Sequence, residues 1–237
     1  MRRQGGFTVI EVTMFLAISG TMAIALLVGI GVAIQRQQYR DADQSYANFL
    51  TEQYSKVISI ENDRQPTDPC PIPGASVNGY RGQSNCVIVG RYIIGDDQGR
   101  SFRVKLIYAL LGADGKTWSY RSSNNNVAEY QTNWSVKTAL VEPAGGGLSV
   151  AMVRNPATGE LAIRSDSRTY PDDKISELLT SKGDATYEVC IYDDKWFAPE
   201  RLSVFIGARA GSSEALTVKG AGNACKACLL YTSPSPR

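Results

Sequence analysis

RRQGGFTVIEVTMFLAISGTMAIALLVGIGVAI, Arg2 to Ile34, decides how the chain must be built. From Val12 to Ile34 no residue is charged. A helix needs about 20 apolar residues to span a bilayer. An ordinary secretory signal has an apolar core of roughly 7–15 residues, so this run is too long for one. Arg2 and Arg3 precede it, which keeps the short N-terminal tail cytoplasmic and sends the rest of the chain outward. That orientation permits disulfides. Glu11 breaks the apolar pattern in the first turns of the helix. Ionisable groups there are costly, on the order of 3 kcal/mol at a helix centre, and are functional by default. The plain alternative is a carboxylate at the headgroup level of a signal anchor.

The rest of the composition narrows the chemistry. The chain has 237 residues, enough for one or two domains with a buried core. Its net charge of +2 gives no electrostatic case for nucleic acid as the main partner. It has no histidine, which excludes a Ser-His-Asp triad, a Cys-His dyad, an HExxH zinc site and a Cys2His2 finger. Without Arg2, Arg3 and Arg237 the side-chain balance turns slightly negative.

The string Arg2 to Val12 resembles the processing site of type IV prepilins and type II secretion pseudopilins. In that family a basic leader ends in glycine, phenylalanine usually follows, and a glutamate comes four residues later. Gly6, Phe7 and Glu11 match those roles. The resemblance implies that a prepilin peptidase cuts between Gly6 and Phe7 and that the new Phe7 amine is methylated. The leader is then 1–6, and the apolar helix stays in the mature protein. The resemblance also implies that Glu11 pairs with the positive N-terminus of a neighbouring subunit in a filament. Such a pair neutralises two buried charges and fixes register. The implied partners are the peptidase, other pilin subunits, the membrane and, indirectly, the assembly platform and its ATPase. No cofactor is implied.

The stem continues beyond the membrane. Tyr39, Ala42, Tyr46, Ala47, Leu50, Tyr54, Val57 and Ile58 recur at three- and four-residue spacings, the pattern of an amphipathic helix. Glu52 and Lys56 form a favourable i,i+4 pair. The pattern predicts one helix from about Thr8 to Ser59, with a membrane or filament-core part over 7–34 and a stem over 35–60. Ala17, Ser19, Gly20, Ala23, Gly29 and Gly31 allow close helix approach or simply face lipid; the resemblance favours packing. Many family members carry a mid-stem proline. Here none precedes Pro66, and Gly29 and Gly31 are the places where the helix could loosen.

Residues 61–227 read as a strand-rich head. Asn62 to Gly82 is rich in Pro, Gly, Asp and Asn and ends the helix. Cys86–Ile94 and Phe102–Leu111 predict a hairpin. Further predicted strands are 117–121, 134–141, 148–153, 161–164, 187–192, 202–208 and 215–218, with loops at 122–126 and 142–147. Pro171 to Lys182 predicts a helix with Gly183 after its end. The expected class is therefore α+β, a pilin fold with a long N-terminal helix packed on an antiparallel sheet. The cysteine-bearing strand pair near Tyr187 and Leu202 resembles the C-terminal part of GspH/FimT-like minor pilins, by order and pattern alone.

Five cysteines is an odd number. The last ten residues, CLLYTSPSPR from Cys228 to Arg237, look like a translated transposase adapter used in sequencing libraries. The adapter bases TGT CTC TTA TAC ACA TCT read CLLYTS. On that reading 228–237 is adapter-derived, the true C-terminus lies elsewhere, and four cysteines remain. Four cysteines allow three pairings. The expected pairs are Cys70–Cys86, closing the loop after the stem, and Cys190–Cys225, tying the C-terminal segment to a strand. Reduced, buried thiols are the alternative. Neither spacing fits a zinc ribbon, and the one CxxC, Cys225–Cys228, depends on the suspect tail.

Other constellations are weak. Asp96, Asp97, Asp114, Asp193 and Asp194 lie in apparent turns without EF-hand spacing; aspartate is a common turn residue. No metal site is expected. Ser122 and Ser123 lack a base partner, and no SxxK string marks a Ser-Lys hydrolase. Arg201, Arg209 and Lys219 could form a basic strip for DNA, although a solvated strand face is the favoured reading. The expected function is a prepilin-like subunit, a minor pilin or pseudopilin, of a type IV pilus, competence pilus or type II secretion filament. It is not expected to be an enzyme. The alternatives are a signal-anchored surface enzyme and a tip adhesin or DNA-binding minor pilin.

Overall fold

One helix, α1 (Val9–Ile58), runs 50 residues without a break. The structure is a computed structural model. It describes residues 8–59, 70–75, 85–96, 99–140, 148–180, 186–192, 202–207, 216–220 and 225. Gly29 and Gly31 stay inside the helix, whose interior has no proline. At its end the Ser59 N–H closes on the Ser55 carbonyl, and Lys56 faces the carbonyl-rich last turn. The two halves of α1 meet different surroundings. Up to Ile34 the apolar side chains stand bare, with Phe15 71% and Leu27 70% exposed. From Tyr39 to Val57 the helix buries a stripe that includes Tyr46 and Leu50.

The head is built from two antiparallel sheets rather than one. Chain order gives β1 (Cys86–Gly95), β2 (Ser101–Leu111), β3 (Trp118–Ser122), β4 (Ala128–Gln131), the 3-10 turn η1 (Asn133–Ser135), β5 (Lys137–Leu140), β6 (Ser149–Arg154), β7 (Leu161–Asp166), α2 (Ile175–Thr180), β8 (Tyr187–Tyr192), β9 (Leu202–Ile206) and β10 (Leu216–Gly220). The larger sheet runs β3-β2-β1-β6-β7, with β4 also on β2; the smaller runs β10-β9-β8-β5. They meet where the β1–β2 turn touches β5: the Thr138 N–H donates to the Gly99 carbonyl at 2.9 Å. Gly99 has φ +63, and a Cβ there would stand 1.9 Å from the Thr138 carbonyl oxygen. Only glycine fits this approach.

The larger sheet is covered on both faces. Ile93, Phe102, Val104, Val150 and Met152 pack on α1, together with Val189, Ile191, Val204 and Ile206 of the smaller sheet. Tyr92, Ile94, Ile107, Ala109, Ala151 and Val153 face the other way and pack on Ile175 and Leu178 of α2. Strand alternation explains this partition. A bulge in β1 between Ile88 and Gly90 inserts one residue, so side-chain parity switches there. Cys86 and Ile88 then join a third cluster with Ile72, Tyr108 and Leu110.

Three elements depart from the sequence reading. Pro171 to Lys174 forms a turn closed by the Lys174 N–H on the Pro171 carbonyl, so α2 starts only at Ile175. β4 falls where no strand was expected. Its pairing with β2 is short, four residues from Ser101↔Gln131 to Val104↔Ala128. Trp134 was expected in a strand. It sits instead in η1 with φ 58, ψ 27, held between Thr132 and Val136 by the Thr132 hydroxyl donating to the Val136 carbonyl. The leader 1–6, Phe7, Asp97, Asp193, Asp194, Arg201, Arg209 and the tail 228–237 lie outside the described residues.

Candidate functional site

The apolar end of α1 begins with a self-contained cap. Thr8 is the N-cap and accepts the Glu11 N–H at 3.3 Å. The Glu11 carboxylate reaches back, accepting the Thr8 N–H at 3.1 Å and the Thr8 hydroxyl at 3.2 Å. This reciprocal pair satisfies orphan donors of the first turn. Both bonds land on Oε2, so Oε1 keeps its lone pairs for another donor. The Thr8-x-x-Glu11 spacing before an apolar run was a legible capping box, and the sequence reading passed over it. Glu11 thus shapes its own helix start, in addition to the intermolecular role the resemblance implies.

Within the apolar half every hydroxyl turns inward on its own helix. Thr13 donates to the Ile10 carbonyl at 3.0 Å, Ser19 to Phe15 at 2.6 Å, and Thr21 to Ile18 at 2.8 Å. Such back-bonding hides polar atoms from hydrocarbon. A Cβ on Gly20, Gly29 or Gly31 would meet nothing within 4 Å. Inside one chain, these glycines are under no packing demand.

The stem is tied to the head by polar contacts that the periodicity did not announce. The Tyr39 hydroxyl donates to the Ile191 carbonyl at 2.6 Å and accepts the Leu202 N–H at 2.8 Å, joining α1 to β8 and β9. Gln53 is buried and accepts from Arg91 of β1 at 3.1 Å. Around the middle of the stem, Tyr46, Phe49, Phe102 and Tyr130 form one aromatic group, with Phe49 stacked on Tyr130 at 4.5 Å. The Tyr46 hydroxyl is buried without a hydrogen-bond partner, and burial pushes its pKa up. Asp43, one turn before it, is 2% exposed and its Oδ1 is unpartnered. Burial raises the Asp43 pKa to about 6.

The remaining sequence candidates resolve individually. Two disulfides are present, Cys70–Cys86 and Cys190–Cys225, with Cα–Cα distances of 6.3 and 5.7 Å. Glu188, Cys190 and Cys225 lie close enough to share an ion, but both sulfurs are taken by the disulfide. Asp96 serves its turn, accepting from the Arg100 N–H and the Ser101 hydroxyl. Asp114 does the same with Lys116 and Thr117. Ser122 is fully buried and donates to Asp172 at 2.6 Å. Lys105 holds the same carboxylate at 2.8 Å, so this cluster clamps the segment before α2. Ser123 accepts the Leu106 N–H at 3.1 Å. Lys219 is exposed on the outer strand β10, where a lysine discourages strand addition.

The described residues therefore place Glu11 at one end of a bare helix and the cysteines, tyrosines and buried acids far from it, in the stem and the head. No family model, curated protein or solved structure matches the chain. A long apolar N-terminal helix continuing into a stem packed on antiparallel sheets is an arrangement consistent with a pilin-like fold. The first half of α1 is long and apolar enough to anchor in a membrane. The two disulfides suit an oxidising compartment outside the cytoplasm.

Proposed function

We propose that this chain is a pilin-like filament subunit, made as a prepilin and held in the membrane by 7–34 until assembly. One observation carries the reading. A single rigid helix is bare over its first half and forms the core of a folded head over its second. A helix presenting apolar side chains all round must be solvated by lipid or by other helices. Subunits that exchange one for the other can pass from a membrane into a filament without refolding their heads. Glu11 is the polar group at the end that would be buried, with Oε1 available to the amine of a neighbour's Phe7. The hydroxyls are already satisfied within the helix, and Gly20, Gly29 and Gly31 leave room for close helix approach. The work of the protein is assembly and surface contact rather than catalysis. Its partners are the prepilin peptidase, other subunits and the assembly platform.

Mass spectrometry of the N-terminal peptide from the membrane fraction tests this. The expected mature chain begins at N-methylated Phe7. An intact Met1 end, or a cut after Ile34, overturns the reading.

A further inference from the structure

Two clefts of opposite charge flank the upper stem. The first, about 440 Å³, lies between the last turn of α1, the β1 bulge and the β6–β7 turn. Among the described residues its charged lining is Lys56, Arg91 and Arg154, with no acid. The second, about 580 Å³, runs between β4 and the outer face of α1 from Asp41 to Gln53. Among the described residues its charged lining is Asp41, Glu52 and Glu129, with no base.

Part of this charge is spent in the wall between the clefts, where Lys56 pairs with Glu52 and Arg91 bonds to Gln53. Arg154, Asp41 and Glu129 are left without an opposite charge among the described residues. Glu129 lies across the β2–β4 ladder from Arg103 without an ion pair to it, and among the described residues accepts from Asn126 at 3.0 Å. Arg154 is half-buried at the base of the β6–β7 turn, whose residues Asn155, Ala157 and Thr158 project into solvent. That turn carries the polar side chains of Asn155 and Thr158 on its exposed side. The acidic groove is concave and lined by Gln44, Ser45 and Asn48 as well as its acids.

We propose that the β6–β7 turn of one copy seats in the acidic groove of the next, bringing Arg154 to Asp41 and Glu129. This rests on the filament reading and gives it a head-to-head contact. The two surfaces differ, so the contact is heterologous and propagates instead of closing as a two-fold dimer. The groove is centred near residue 47 of α1 and the basic cleft near Lys56. At 1.5 Å per residue the contact shifts each copy about 14 Å along the helix axis, so it builds an open helix rather than a flat ring. At 3.6 residues per turn, positions 41, 45, 48 and 52 face about a quarter turn away from 56 and 57, so the two surfaces are not back to back and neighbours joined by them are rotated relative to one another. The Glu11 pairing offsets a copy by only about 6 Å toward the head, so in a filament of parallel subunits the two contacts join different pairs of copies.

The test uses the full chain in the cells that produce it, reading the ratio of sheared-filament protein to membrane protein. Arg154→Glu alone and Glu129→Arg alone are each expected to lower that ratio at least tenfold, and the double variant to return it to within about twofold of wild type. Equal incorporation of the single variants overturns the contact while leaving the subunit reading intact. A loss that the double variant does not rescue also overturns it. Wild-type protein absent from filaments overturns the subunit reading itself and this contact with it.

Discussion

Among the described residues, Asp43 is the buried acid with an unpartnered oxygen on the seam between stem and head, and Asp43→Asn isolates it. In the folded chain the carboxyl ionises near pH 6, against 3.8 for the free side chain. The cause is burial, so the charged form is the one the fold penalises. The native state then binds more protons than the unfolded state between about pH 4 and 6, and stability falls as pH rises through that window. The penalty is absent below about pH 4 and complete above about pH 6. A displacement of about two pKa units is worth about 3 kcal/mol. At about 2–4 °C per kcal/mol for a chain of this size, the wild-type melting temperature should drop by roughly 6–12 °C across the window on this account alone. Asp114 and Asp166 do not interfere. Hydrogen bonds from Thr117 and Lys116 hold the Asp114 carboxyl down, so it acts below this range. Burial pushes Asp166 up, but bonds from Tyr170 and Arg168 outweigh it and leave its pKa lowered too. Thermal unfolding of the detergent-solubilised full chain, followed from about pH 4 to 7, measures the slope. Asp43→Asn should flatten it. Parallel slopes in wild type and variant would refute the argument.

Three further outcomes follow from the same geometry. Tyr39→Phe removes the hydroxyl that serves Ile191 and Leu202 and leaves a buried carbonyl without its donor; denaturant unfolding should show a loss of about 1–3 kcal/mol. Gly90→Ala places a Cβ 2.2 Å from the Met152 carbonyl oxygen and 2.9 Å from the Val153 Cα, both backbone atoms that cannot step aside. It should cost about 3 kcal/mol, the upper end of the usual overpacking range, read as a fall in melting temperature or in folded yield. Cys190→Ser with Cys225→Ser opens a loop of sequence separation 35 and should cost about 2–5 kcal/mol, with reduced mobility change on non-reducing gels as the companion check.

Much of this fold was readable because it is governed by local pattern. The absence of proline and the three–four spacing of Tyr39 to Val57 predicted α1 to within a residue at each end. Alternation predicted Tyr187–Tyr192 at its observed bounds. What escaped was set by long-range contact. β4 is a strand only because β2 offers an edge to it, and Trp134 leaves the strand region because the Thr132–Val136 clasp closes behind it. The division into two sheets depends on pairing partners, which periodicity does not encode. At the candidate site, Gly6, Phe7 and Glu11 carry a motif visible in the sequence. Tyr39 and Asp43 carry none: each reads as an ordinary stem position until the head is folded against it. The pairing of the cysteines was legible from chain order, since each bridge closes the loop nearest to it.

The central claim is that the bare half of α1 leaves lipid for a filament and that Glu11 is required for the transfer. Quantifying wild-type and Glu11→Ala protein in membrane and sheared-filament fractions tests it most directly. The account predicts equal amounts of both in the membrane, wild-type chains beginning at methylated Phe7 in the filaments, and Glu11→Ala reduced there at least about tenfold, the scale of one lost buried charge pair. Equal incorporation of the two would contradict it.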